Sequence, residues 1–215
     1  MKIGIITMGH SPRPDLIAQF KINKNEHSIV EKGALDDLKR EEITANGSIP
    51  VITRLNDGKP IEVDKEFLDK MVQKAVLTLE KENVESILVL CSTPFNSLKS
   101  KVPLFLPSKI IPALIASISN MPKKMDLVCP VKGQEKILKE KWEKKGFTPY
   151  VVVLPPWSPD NLAEITPILK SSPGEWVILD CMGFTSMDAK KLSNKIGKMV
   201  FSSSTIFLNS VAGFF

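Results

Sequence analysis

Histidine, cysteine and tyrosine are scarce in this chain: two, three and one among 215 residues. With only His10 and His27 and no CxxC, there is no ligand set for zinc, and no metal is expected. Cys91, Cys129 and Cys181 lie far apart in sequence and cannot all pair, which points to a reducing compartment. No apolar run approaches the roughly 20 residues that a bilayer span needs, so no membrane partner is expected. The opening MKIGIITMGHS has only about five apolar residues in its first run, short of a signal-peptide core of roughly 7–15. A cytoplasmic location is expected. GxGxxG, Walker A and GxSxG motifs are all missing. Ten scattered phenylalanines and Tyr150 give no stacking platform for single strands. The charge excess of +5 is small and dispersed, so nucleic acid is not an expected partner. A small anion is.

What is present is an ordinary globular balance, 43% hydrophobic and 25% charged. Such a chain can bury a core without metal or disulfide staples, and its apolar content excludes disorder as the main state. Short β-branched runs occur at Lys2–Thr7, Ile49–Leu55, Ser86–Cys91, Met125–Cys129, Tyr150–Leu154, Trp176–Cys181 and Met199–Ser202. Most are separated by enough chain for a helix. Ile87 to Leu90 and Val151 to Val153 are continuously apolar, as in strands covered on both faces. That predicts a parallel α/β sheet. Asp64 is placed to cap a helix over about 65–82, with Phe67, Met71, Val72, Ala75 and Leu79 on its stripe. Pro107 opens another, with Pro112 marking a late start or a kink. Further helices are predicted over about 133–145, 159–169, 187–196 and 204–214. The lysines of the 133–145 segment read as a solvated face around Ile137, Leu138 and Trp142.

Ligands of open α/β sheets bind beyond the carboxyl ends of the strands. After the first strand come Gly9, His10, Ser11, Arg13 and Asp15. Gly9 permits a close backbone approach, and Ser11 and Arg13 suit a carboxylate or phosphate. Arg54 follows a second strand and precedes the Asn56-Asp57-Gly58 turn. Cys91-Ser92-Thr93 follows a third, and Asp180-Cys181-Met182-Gly183-Phe184-Thr185 a fourth. The two cysteines lie 90 residues apart, each before a small polar loop, which suggests a weak internal duplication. Paired thiols of this kind can act as acid and base: a thiolate removes a proton beside a carboxylate and the opposite thiol returns one. Backbone N–H groups and hydroxyls in the loops would hold the developing enolate. A cysteine ending a buried strand is, however, most often a small buried hydrophobe. Cys129, followed by Pro130, is assigned that structural role. Asp180 should point opposite to Cys181 along an extended strand, and Arg13 has a local partner in Asp15.

The blocks IGIITMGHSPRPD, EKGALDDL, TRLNDGKPI, ILVLCSTPF, LFLPSKIIPALIASI and VILDCMGFT resemble the AroM family, in the family's order and over nearly the whole chain. That family is in turn similar to the aspartate/glutamate racemase superfamily. The resemblance implies two pseudo-symmetric, flavodoxin-like α/β halves with mainly parallel sheets and the active site between them. The expected halves are residues 1–106 with 203–215, and 107–202. It implies cofactor-independent racemase, isomerase or decarboxylase chemistry, one cysteine from each half, and a homodimer. Cys91-Ser92-Thr93 is similar to the first cysteine motif; Cys181 takes the second position without the usual Cys-Thr-His. The family's link to shikimate-pathway genes adds an aromatic-pathway metabolite as a ligand class.

Two main readings result. In the first, Cys91 and Cys181 transfer protons on a small carboxylate, or assist its decarboxylation, with Ser11, Arg13, Arg54, Ser92, Thr93, Gly183 and Thr185 binding substrate. In the second, the same residues form a non-catalytic anion-binding or regulatory site. Thiol redox chemistry, the third reading, needs the two cysteine α-carbons within roughly 7 Å.

Overall fold

The computed structural model describes residues 1–22, 26–45, 47–157 and 161–215. The chain divides into two compact units, one of Met1–Cys91, Phe95–Pro107 and Leu208–Phe215, the other of Ser92–Pro94 and Ser108–Phe207. Each holds a four-stranded parallel sheet with helices, a mixed α/β architecture.

In the first unit the strands are β1 (Lys2–Thr7), β2 (Ser28–Gly33), β5 (Ser86–Val89) and β6 (Leu104–Phe105), in the order β2-β1-β5-β6. Ile5 of β1 pairs with Glu31 on one side and Leu88 on the other. All four residues of β5 are buried, as its continuous apolar run predicts for an inner strand. A short helix α1 (Pro14–Ile17) follows β1. Helix α2 (Lys65–Lys81) covers the sheet with Leu68, Val72, Ala75, Val76 and Leu79 buried, while Phe67 and Met71 are only partly covered. The stripe is thus centred one residue from its expected line. A side chain at Gly4 would stand 3.0 Å from Leu79 Cδ1, so a larger residue there would have to displace the Leu79 side chain.

The segment around Ile49–Leu55 departs from expectation. It forms β3 (Pro50–Arg54), which pairs antiparallel with β4 (Pro60–Asp64) in a separate two-stranded sheet. The Asn56-Asp57-Gly58 turn, with Gly58 at φ +75°, folds the chain straight back and leaves no crossover for a parallel strand. Burial alternates along β3, as in a strand covered on one face only.

In the second unit β7 (Lys124–Cys129), β8 (Thr148–Val153), β9 (Trp176–Leu179) and β10 (Met199–Ser202) run in the order β10-β9-β7-β8. Around them are α3 (Pro107–Ala116), α4 (Glu135–Glu143), α5 (Asn161–Ser171), α6 (Ser186–Ile196) and α7 (Ser203–Ala212), with α7 continuing into the first unit from Leu208. Trp176 is fully buried and meets Trp142, Phe147 and Phe201 edge-on at 5.5–5.8 Å. Such ring pairs each contribute about 0.5–1.5 kcal/mol beyond the area they bury. The continuous apolar run Val151–Val153 does not mark a doubly covered strand: β8 is an edge strand, and Tyr150 and Val153 are exposed. Helix α3 begins at Pro107 without delay and carries Pro112 inside it. The expected helix start at Pro159 lies outside the described residues.

Both sheets have the same chain order. The first strand is inner, the second flanks it at one edge, the third is inner on its other side, and the fourth is the opposite edge. In each unit the fourth strand is followed by a helix, α3 or α7. Among the described residues no helix is long and apolar enough to cross a membrane.

Asp64 caps α2, its carboxylate accepting the Phe67 N–H at 3.0 Å. Replacing it with alanine leaves that first-turn donor without its acceptor. Asp64→Ala is expected to cost about 1 kcal/mol, read as a thermal midpoint lower by about 2–4 °C for a chain of this size.

Candidate functional site

At the carboxyl end of β1 the chain is held tightly. A side chain at Gly9 would stand 1.8 Å from the Arg54 carbonyl oxygen, so the close approach read from the sequence is present. Ser11 donates its hydroxyl to Asp36 at 2.8 Å and its N–H to the same carboxylate at 2.7 Å. Asp36 also accepts the Gly33 N–H, which closes the turn after β2. Asn56 N–H donates to His10 Nδ1 at 3.2 Å, so the proton sits on Nε2 and is donated to the Leu38 carbonyl at 3.0 Å. His10 thereby ties the β1 loop to the hairpin turn.

Arg13 is almost buried and forms a two-pronged bond to Asp15 at 2.7 and 2.9 Å. Burial pushes the Asp15 carboxyl up, but the hydrogen bond and charge of Arg13, with the charge of Arg54, outweigh it and hold the group below its usual value. Arg13 and Arg54 therefore act on one carboxylate. Nearby, Glu31 accepts the Arg13 N–H at 2.6 Å. Burial and the charges of Asp36 and Asp15 nevertheless raise its carboxyl.

In the second unit the polar residues after β9 divide between interior and surface. Asp180 is fully buried. Its Oδ2 meets Lys141 Nζ at 2.6 Å and accepts the Trp142 indole N–H at 2.9 Å, and its Oδ1 accepts the Ser203 hydroxyl at 3.2 Å. Cys181, the next residue, is partly exposed. The Gly183 N–H donates to its sulfur at 3.4 Å. A side chain at Gly183 would stand 2.8 Å from the Trp157 ring and 2.9 Å from Pro156, so glycine is required for this packing. Thr185 caps α6: it accepts the Asp188 N–H and donates its own hydroxyl to the Asp188 carboxylate, both within hydrogen-bond range.

Ser92 and Thr93 belong to this same buried network. Ser92 donates its hydroxyl to the Asp180 carbonyl at 2.8 Å, and its own carbonyl accepts from Lys141 Nζ at 3.0 Å. Gln134, fully buried at the start of α4, donates to the Thr93 hydroxyl at 3.1 Å. The residue after Cys91 is thus bonded directly to the residue before Cys181. Sequence reasoning missed Lys141, which lies 8% exposed among lysines taken as solvated. Its signal was available: it falls on the stripe of Leu138 and Trp142, at helical spacing. Gln134 carries no comparable signal.

The three thiols have different surroundings. Cys91 is 7% exposed and packs with the first unit's apolar core. Cys129 is fully buried, and burial above all pushes its thiol up to about 12. Among the described residues no group of three or more histidine, cysteine or acidic side chains is placed to hold a metal.

The model of the AroM protein family matches residues 3–212. The chain belongs to the AroM family. None of the curated proteins matches it. Several solved structures share the fold of this AroM-family protein. Glutamate racemase from Aquifex pyrophilus aligns with a TM-score of 0.63 at 16% identity, over 100% of this chain and 84% of that one. Maleate isomerase from Pseudomonas putida gives 0.60 at 12% identity, over 99% and 92%. Arylmalonate decarboxylase gives 0.58 at 10% identity, over 100% and 91%. At these identities the likeness is one of fold.

Exposure and ionisation together set an order of thiol reactivity. In native protein at pH 8, iodoacetamide should label Cys181 first, Cys91 at least about tenfold more slowly, and Cys129 only after unfolding. Peptide mass spectrometry over time reads this directly. Equal rates at Cys129 and Cys181 would contradict the assignment.

Proposed function

We propose that this AroM-family protein is a cofactor-independent enzyme that moves a proton at the carbon beside a small substrate's carboxylate, or removes carbon dioxide from that carbon, with Cys181 and Cys91 as the proton carriers. In the first case a thiolate takes the carbon-bound proton and the C–H electron pair enters the enolate. A thiol then returns a proton to the carbon and becomes a thiolate. In the second the C–C pair left by departing carbon dioxide makes the same enolate, which a thiol protonates. Both cases need only a proton carrier and fixed donors for the enolate oxygens.

The observation that carries this reading is positional. Each cysteine is the second residue after the third strand of its unit, and Ser92 and Asp180, their immediate neighbours, are hydrogen-bonded at 2.8 Å. The Gly183 N–H on the Cys181 sulfur is the kind of donor that favours a thiolate. Cys181, the more exposed thiol, makes the first abstraction in this scheme. Two of the fold neighbours, glutamate racemase and arylmalonate decarboxylase, are named for these two reactions, and the third, maleate isomerase, for a small dicarboxylate.

A second reading, anion binding without turnover, draws on a different observation. Cys91 is nearly closed to solvent, which disfavours it as a proton carrier and leaves room for binding alone. The two separate by experiment. Small amino, hydroxy and unsaturated carboxylates are incubated with enzyme in D2O, and α-deuterium incorporation and carbon dioxide release are followed by NMR. Cys181→Ser and Cys91→Ser should each slow turnover by about 10²–10⁴-fold. Turnover that survives both single changes would remove the thiols from the mechanism. Thermal stabilisation by the same acids, retained in both variants and without turnover, would establish the binding reading.

A further inference from the structure

We propose that Lys141 is a positioning residue for the thiol chemistry, holding the Ser92 carbonyl in place while cancelling the charge of Asp180 beside Cys181. The inference rests on the thiol reading above and extends it to a residue of α4.

The argument is electrostatic. Asp180 is fully buried one residue from Cys181. A buried carboxylate is a strong local field, because little solvent screens it. Left alone, it would oppose formation of a second negative charge on a nearby sulfur. Lys141 Nζ, 2.6 Å from that carboxylate, makes the pair close to neutral, and the Trp142 and Ser203 donors complete its hydrogen bonding. The same ammonium donates to the Ser92 carbonyl at 3.0 Å, so one group sets both the backbone after Cys91 and the field beside Cys181. Both charges reach a thiol in this unit: at Cys129, Asp180 acts to raise the thiol and Lys141 to lower it. Besides Lys141, the buried or half-buried ionisable groups on α4, β7 and α6 are Glu135, Glu140, Asp126, Cys129 and Asp188, with Asp126 paired to Lys198 at 3.1 Å; the other lysines of these elements are exposed. Asp188 is engaged with the cap of α6. Glu135 reaches the N-terminal turn of α4 through the Gly133 N–H.

The test needs no substrate. The rate of Cys181 alkylation by iodoacetamide is measured against pH for the wild type and for Lys141→Met, Asp180→Asn and the double variant. Circular dichroism reports the fold of each. Lys141→Met leaves an uncompensated carboxylate, so the profile should move to higher pH and labelling at pH 7.5 should slow by about tenfold. Asp180→Asn leaves an uncompensated ammonium and should move the profile the other way. The double variant should return to the wild-type profile. Loosened packing would speed labelling in all three and could not give opposite signs. Profiles that stay put in folded variants, or that shift in the same direction in both single variants, would overturn the proposal. Should Lys141→Met not fold, Asp180→Asn and the double variant still decide, because removing both charges leaves no buried ion. A shifted profile in a protein that turns over no carboxylate would defeat the catalytic reading alone. An unchanged profile in an active enzyme would defeat this inference alone.

Discussion

A carboxylate with no solvent contact is expensive to bury, and the second unit is arranged around having done so. Asp180 is accommodated because an ammonium, an indole N–H and a hydroxyl converge on it. Removing one member of such a pair typically costs about 3–5 kcal/mol, since the other charge is left without compensation. The interaction therefore fixes α4 through Lys141 and Trp142, the start of α7 through Ser203, and the chain after β5 through Ser92. These are separate elements brought to one point by one charge. The apolar residues of β7 and β9 supply the bulk of the burial; the ion pair determines which loops meet at the end of β9.

The strand order gives that point its place. In both sheets the third strand of the unit is an inner strand, flanked on both sides, so its end is positioned by two neighbours rather than one. A loop leaving an inner strand inherits that rigidity, which a site needs to hold reacting groups in register. The cysteines leave from these two strands. The hairpin of β3 and β4 has a related role in the first unit: it brings Arg54 toward the Arg13–Asp15 pair.

Much of this was legible in the residues. The buried run Ile87 to Leu90 indicated an inner parallel strand, Asp64 indicated a helix start, and the Gly9 approach followed from glycine itself. Other features were hidden for identifiable reasons. β2 reads Ser-Ile-Val-Glu-Lys-Gly and is mostly half-exposed, so its apolar signal is weak. The Val151–Val153 run looked central but lies at an edge, because apolarity records what a strand prefers and not which neighbours it finds. At the site, local sequence marked the cysteines and Ser92, whereas Lys141 and Gln134 become visible only once α4 is docked on the strand ends.

The three cysteines show how far residue identity falls short of chemistry. Cys129 ends an inner strand, just as the sequence placed Cys91 and Cys181 at strand ends. The difference lies in the residues next along the chain. After Cys129 comes Pro130, which has no N–H to offer a sulfur; the thiol instead donates to the Val131 carbonyl at 3.2 Å and burial keeps it protonated. After Cys181 come Met182 and Gly183, and the Gly183 N–H is directed at the sulfur. That geometry requires glycine, because Trp157 and Pro156 occupy the space a side chain would need. A thiol's chemistry is therefore set by its neighbours two residues on as well as by its burial. Cys181, partly exposed and with a backbone N–H on its sulfur, differs from the buried Cys129 on both counts.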